Sequence, residues 1–209
     1  MKRSVVCFCE SRFEAEIPDE VDLALNPEVE GQIIEGIFQT IRCPDCGKTL
    51  KPEFPVHLVD RKGDFDLFFI PELDRGAFFR KALDYSLPEV RRVAIGYEEL
   101  VEKLLIKRCG LDDRVVEVIK YYLLDKALRE SGEQEDREIR IGFQAQEEAA
   151  LVFHARGLKE QEVAVLKVPL PMAERIRQSL EERCRREPLS RILEGPYVSV
   201  NKLYSEAGE

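Results

Sequence analysis

At 209 residues the chain is long enough for one large domain or two small ones, and a chain of this size buries roughly 70% of its unfolded surface without needing a cofactor to hold the whole together. Its 41 acidic and 32 basic side chains leave a net charge of -9, which excludes general nucleic-acid coating, because phosphate repels such a surface, though not a local basic patch. No apolar run approaches the roughly 20 residues that span a bilayer, which argues against a membrane protein.

The first part of the chain reads mostly as strands. Arg3 to Cys7 and Arg12 to Ile17 flank the pair Cys7-Phe8-Cys9 like the arms of a hairpin. Asn26-Pro27-Glu28 has the form of a helix start, with a cap, a proline and an acid, and that helix is expected to run to Glu35 before Gly36. Ile37 to Arg42 and Thr49 to Phe54 then flank Cys43-Pro44-Asp45-Cys46 as a second hairpin. Val56 to Asp60 and Phe65 to Ile70 make a third around Lys62-Gly63-Asp64, with Gly63 expected to supply the turn.

Helices follow. One is expected from Leu73 to Tyr85, ended by Pro88, with a short strand at Val93 to Ile95 after it. Tyr97 to Arg108 is amphipathic through Leu100, Val101, Leu104 and Leu105, and Cys109-Gly110 ends it. Asp112 or Asp113 caps the next helix, which packs through Val116, Ile119 and Leu123 to about Glu130, so the two should fold back as a hairpin. Residues 130–136 are polar and read as a linker.

Beyond it, Ile139, Ile141, Phe143 and Ala145 alternate with polar residues and Gly142 as in a half-buried strand. Leu151 to Arg156 and Glu162 to Val168 complete a meander. Pro171 to Arg186 reads as one helix, with Met172, Ile176, Leu180 and Cys184 on its buried side, and Tyr197 to Val200 as a last strand. The expected class is α+β: an N-terminal zinc-ribbon-like β module, a helical hairpin, and a small antiparallel α+β unit. The domain division is placed at 1–130 and 131–209.

The cysteines carry the chemistry. The N-terminus is basic but has no apolar segment of signal length behind it, so the chain is expected to be cytoplasmic, where thiols stay reduced and paired cysteines serve as metal ligands before disulfides. Cys7, Cys9, Cys43 and Cys46 offer four soft thiolates, the set that zinc takes in a closed tetrahedron. Pro44 and Gly47 suit a tight turn around one ion, whereas Glu10 stands where a glycine would turn more easily. Arg3, Arg12, Arg42 and Lys48 lie close enough in sequence to offset the charge of a zinc tetrathiolate. A redox dithiol at Cys43 and Cys46, or four unliganded thiols, are the rival readings. Such a dithiol usually opens a helix, and Thr49-Leu50 points to a strand instead.

Val5 to Ile70, with Cys7-x-Cys9, the Asn26-Pro27-Glu28 helix start and Cys43-Pro44-Asp45-Cys46-Gly47, resembles the CpXC domain of bacterial and archaeal proteins. Tyr97 to Asp113 also looks like the downstream part of such proteins, so the likeness covers about the first 130 residues. The resemblance implies a zinc site at Cys7, Cys9, Cys43 and Cys46 and implies no reaction. The order Cys-x-Cys then Cys-x-x-Cys is also similar to that of a redox-switched holdase chaperone, although there the cysteines follow the helices.

No phosphate loop, nucleophile elbow or metal helix is present, and the reading leans away from an enzyme. His57 and His154 stand alone on strand-like segments and read as rim or satisfied residues. Asp112/Asp113 serve better as a helix cap, and Asp64/Asp66 as turn and strand surface. Arg175, Arg177, Arg183, Arg185, Arg186 and Arg191 form the one candidate phosphate-binding cluster, but Glu174, Glu181, Glu182 and Glu187 are interleaved with them. The expected function is that of a non-catalytic zinc-binding interaction protein whose partner is another protein. A redox-sensing zinc-thiolate switch is the alternative, and nucleic-acid binding through the arginines the third.

Overall fold

A computed structural model describes residues 1–131, 139–158 and 162–204. The linker expected at 130–136 lies outside the described residues, apart from Glu130 and Ser131. The fold is α+β, with helices and several small sheets, and it divides into two compact units, Met1–Val101 and Glu102–Glu209. The division therefore falls earlier than the one placed at 130/131, inside the helix Tyr97–Arg108, because the helix after it packs on the later strands and helices.

The first unit opens with an antiparallel hairpin of β1 (Lys2–Val6) and β2 (Arg12–Glu16). A short strand β3 (Glu20–Asp22) and helix α1 (Pro27–Ile34) follow. Asn26 does not cap α1 with its side chain; its amide donates back to the Asp22 carbonyl at 2.9 Å. Gly36, at φ +79°, ends the helix. The second knuckle is held by only two-residue strands, β4 (Ile41–Arg42) and β5 (Thr49–Leu50), shorter than expected. Gln39 explains part of the loss. It sits at φ +59°, and its side-chain amide bonds both N–H and C=O of Phe54, at 2.9 and 3.0 Å, where a strand ladder would have continued.

β6 (Val56–Asp60) and β7 (Phe65–Ile70) form the expected hairpin. Its left-handed turn residue is Asp64 (φ +54°) rather than Gly63, whose N–H donates to the Asp60 carboxylate at 2.8 Å. Of the helix expected from Leu73 to Tyr85, only Arg75–Phe79 (α2) is α-helical; Leu73 and Asp74 lie in a 3-10 turn, Glu72–Asp74, that leads into it. Lys81 ends it at φ +54°, with Ala82 N–H reaching back to Ala77 C=O at 2.8 Å. β8 (Arg92–Ile95) completes a mixed sheet in the order β3-β6-β7-β8, with β3 parallel to β6 and β8 parallel to β7. Its core strand β7 buries Leu67, Phe68, Phe69 and Ile70.

Helix α3 (Tyr97–Arg108) begins in the first unit, where Glu99 accepts from the Ile95 N–H at 3.0 Å, and continues into the second. The bend Cys109–Asp112 leads to α4 (Asp113–Ser131), capped by Asp112, whose carboxylate accepts from Arg114 N–H at 2.9 Å. β9 (Arg140–Gln146), β10 (Ala150–Arg156) and β11 (Ala164–Pro169) form the expected antiparallel meander. A register shift pairs Phe153 with Phe143 but Val152 with Ala145, leaving Gln144 as the extra residue. The slip changes the phase of the strand, so Ala145 is exposed and only Ile139, Ile141 and Phe143 are buried.

The helix expected over Pro171–Arg186 is broken into α5 (Leu170–Gln178) and α6 (Leu180–Arg183). At the break the Ser179 hydroxyl donates to the Arg175 carbonyl at 2.8 Å. Met172 is half-exposed, while Ala173, Ile176 and Leu180 face the core. α7 (Leu189–Leu193) was not expected, and Tyr197–Val200 is not a strand but a buried loop entering a 3-10 turn, Val200–Tyr204. One core of α4, α5, α7 and the meander closes this unit.

Candidate metal centre

Each cysteine pair sits in the turn that joins the two strands of a short hairpin, where the chain must reverse sharply. In the first knuckle Cys7 N–H donates to Ser11 C=O and Glu10 N–H to Cys7 C=O, both at 2.9 Å. In the second, Cys43 N–H donates to Lys48 C=O at 2.9 Å and Gly47 N–H to Cys43 C=O at 3.0 Å. The residue after the second cysteine is left-handed in both: Glu10 at φ +68° and Gly47 at φ +70°. The two knuckles solve the same backbone problem, one with glycine and one against the preference of a β-carbon. Arg42 closes the second knuckle, its Nε donating to Gly47 C=O at 3.1 Å.

The knuckles converge over a small core of Val5, Cys7, Cys43 and Leu50, bordered by Phe13, Ala15, Ile41 and Phe54. All four Sγ atoms lie within 4.8 Å of one another. Cys7 Sγ is 3.5 Å from Cys46 Sγ, and Cys9 Sγ is 3.7 Å from Cys43 Sγ. A tetrahedron with metal–sulfur bonds of about 2.3 Å has edges of about 3.8 Å, so the donor set fits one ion. The thiols are free, and the separations exceed the about 2.05 Å of a disulfide. Cys7 and Cys43 are buried while Cys9 and Cys46 are exposed. Backbone N–H groups of Cys46 and Asp45, with the Cys7 and Cys46 thiols, pull the Cys43 thiol down to about 6. The Cys9 N–H acts to lower Cys7 too, but burial and the neighbouring thiols push it up to about 12. The Cys43 site thus favours the thiolate, whereas the buried Cys7 thiol holds its proton more tightly and would release it when a cation binds.

The flanking cations are used differently from the expectation. Arg3 donates to Asp19 at 2.7 Å and lies over the Phe54 ring, so its charge is already paired. His57 Nε2 lies 2.7 Å from Asp66, and His154 is half-buried on β10; neither joins the cysteines. Asp64 pairs with Arg91. In the arginine-rich region Arg177 bonds Glu174 at 2.7 Å, Arg186 pairs with Glu182, and Arg183 donates to the Tyr122 hydroxyl.

The second unit holds a buried ionic cluster that hydrophobic periodicity did not disclose. Lys120 Nζ bonds Glu102 at 2.7 Å and Glu117 at 3.0 Å. Lys103 Nζ bonds Asp113 at 2.9 Å and the Val198 carbonyl at 2.8 Å. The second oxygens of Glu102 and Glu117 accept from Phe143 N–H at 2.6 Å and Val200 N–H at 2.9 Å respectively. Burial alone would lower Lys120, but Glu102 and Glu117 outweigh it and hold the ammonium charged. The available signal was α4 itself: Val115, Val116, Val118 and Ile119 surround Glu117 and Lys120 on all sides, so those charges have no solvent face.

A family model described as "CpXC protein" matches residues 5–120, more than half of the chain. An "Uncharacterized protein" of Treponema pallidum (strain Nichols) is 25% identical over 219 aligned positions, which take in 96% of this chain and 98% of that one. No solved structure matches.

Proposed function

Because this chain belongs to the CpXC family, we propose that Cys7, Cys9, Cys43 and Cys46 hold one structural zinc ion, and that the protein works without catalysis, by binding another protein. The observation that carries the zinc reading is the cluster of four sulfurs at tetrahedral spacing. A set of four protein thiolates leaves no coordination position open, which favours a structural over a catalytic role. Zinc of this kind contributes on the order of 10 kcal/mol to local folding, and the apolar core beside it is small, with Val5 and Leu50 its buried residues other than the cysteines. The reading includes a cytoplasmic setting, where thiols remain reduced. Among the described residues no helix is long and apolar enough to cross a membrane.

The test is metal content and thiol count on native protein. One zinc per chain with four protected thiols supports the reading. Metal-free, folded protein with reactive Cys43 and Cys46 would overturn it.

The exposure of Cys9 and Cys46 supports a second reading, a redox-sensing switch. Two thiolates give two electrons to hydrogen peroxide, a disulfide forms, and the O–O bond breaks to two waters with two protons from solvent. Zinc leaves as the divalent ion. Peroxide titration with a chromogenic zinc indicator decides this: release in step with disulfide formation supports the switch, and zinc retained through excess peroxide removes it.

A further inference from the structure

The first unit contains a cleft of about 390 Å³ whose lining includes Glu16, Glu20, Val21, Val29, Ile37 and Phe38. Its wall is preset rather than loose. Gln39, held left-handed, ties this wall to Phe54 through two hydrogen bonds. Ile37 is an aliphatic residue left 53% exposed beside the cleft, and Val29 is half-buried. Glu20 and Val21 belong to β3, the terminal strand of its sheet, whose outer backbone edge has no strand beside it among the described residues. Such an edge can accept an extended chain.

Charge selects the occupant. The first sixty residues carry twelve Asp and Glu against six Lys and Arg, so most of the chain's negative excess belongs to the segment that forms this cleft. Glu16 is exposed on its rim, and the Glu20 carboxylate is engaged by Arg61 at 2.9 Å in a solvent-exposed pair, which a competing cation displaces at little cost. A second copy of this chain would bring the same acidic surface and be repelled.

We propose that this cleft docks an extended, basic segment of a partner protein, setting an aliphatic side chain against Val29 and Ile37 and a Lys or Arg against Glu16 and Glu20. The proposal rests on the reading that the chain binds another protein, and names the chemistry of that partner.

The test probes the full-length protein with immobilised extended peptides of three compositions: basic–aliphatic, acidic–aliphatic and uncharged polar. The basic–aliphatic set is retained, and retention falls as salt is raised. Ile37→Lys and Glu16→Lys, both at exposed positions, each reduce it about fivefold or more while far-UV circular dichroism stays unchanged. Selection of acidic or uncharged peptides, no selection at all, or basic peptides retained equally by both variants would overturn the proposal. So would a concentration-dependent dimer abolished by Ile37→Lys, which would make a second copy the occupant. Zinc is measured in the same samples. Full zinc without peptide selection overturns the cleft alone, and selective retention by folded, zinc-free protein supports the cleft while overturning the metal reading.

Discussion

Glu10 and Gly47 occupy equivalent left-handed positions, and only one of them is a glycine. A β-carbon there costs about 1–2 kcal/mol, partly offset for glycine by the entropy it loses on folding. Glu10→Gly is therefore expected to stabilise the first knuckle by up to about 1 kcal/mol, and Gly47→Ala to destabilise the second by about 1–2 kcal/mol. Guanidinium unfolding of the two variants, followed by circular dichroism, checks both signs. Equal and like-signed effects would mean that the knuckles are not equivalent. The sequence is informative here because the cysteine spacing and the Cys-Pro-Asp-Cys-Gly turn are local features. Gly63 misleads for the same reason: a turn glycine suggests the left-handed residue, whereas Asp64 takes that conformation and Gly63 admits the Asp60 carboxylate instead.

At the scale of elements, the ionic cluster of Glu102, Lys103, Asp113, Glu117 and Lys120 fastens α3 and α4 to β9 and to the loop at Val198–Val200. Removing Lys120 leaves Glu102 and Glu117 buried without the ammonium that offsets their desolvation. Lys120→Met should lower the stability of the second unit by about 3–5 kcal/mol, read as a shift in the denaturant midpoint of the helical signal. A loss below about 1 kcal/mol would show that water reaches the cluster. Lys202 gives the neighbouring 3-10 turn a pH response. Its ammonium donates to the Arg191 and Glu194 carbonyls, and burial lowers it to about 8 from its ordinary range near 10.5. Between those values the unfolded chain binds the extra proton, so stability rises as pH climbs from about 8 toward 10.5. Lys202→Met should flatten the slope in this window; an unchanged slope assigns it to another group.

These elements also mark where local pattern stops being sufficient. Tyr97–Arg108 and the hairpin Val56–Ile70 are legible to the residue, because periodicity and turn spacing are strong there. The parallel pairing of β3 with β6 joins segments over thirty residues apart, which no local period records. The break at Ser179 hides within an apolar series that continues through it, since Ile176 and Leu180 both stay buried. Glu117 and Lys120 imitate a solvent-exposed i,i+3 pair, and only the apolar residues next to them, Val115, Val116, Val118 and Ile119, contradict that picture.

For the whole molecule, the division into two units predicts a divided response to metal loss. The cysteine core contains residues of the first unit alone, and the large helical core residues of the second alone. Chelation should raise amide hydrogen exchange through residues 1–54 while α4 and the meander keep their protection. Simultaneous loss throughout the chain would mean that the cysteine module governs the entire fold. The overall class and the clustering of the cysteines are readable from sequence, whereas the unit boundary is not. The polar stretch at 130–136 has the composition of a natural joint, but α4 packs on the meander and on α5 and α7, all of which lie beyond that stretch.

The bond from Phe143 N–H to the Glu102 carboxylate has one more consequence. β9 is an outer strand of the meander, and its outward amide meets an acid held from a helix instead of open water. A foreign strand approaching that margin finds a donor already taken and a negative group in its path, a safeguard against unwanted growth of the sheet into fibres. The opposite margin, β11, has no such plug among the described residues and carries the exposed Val165. Any tendency of this protein to aggregate through the meander should therefore be directional, and a lysine at position 165 is where a more soluble form would begin.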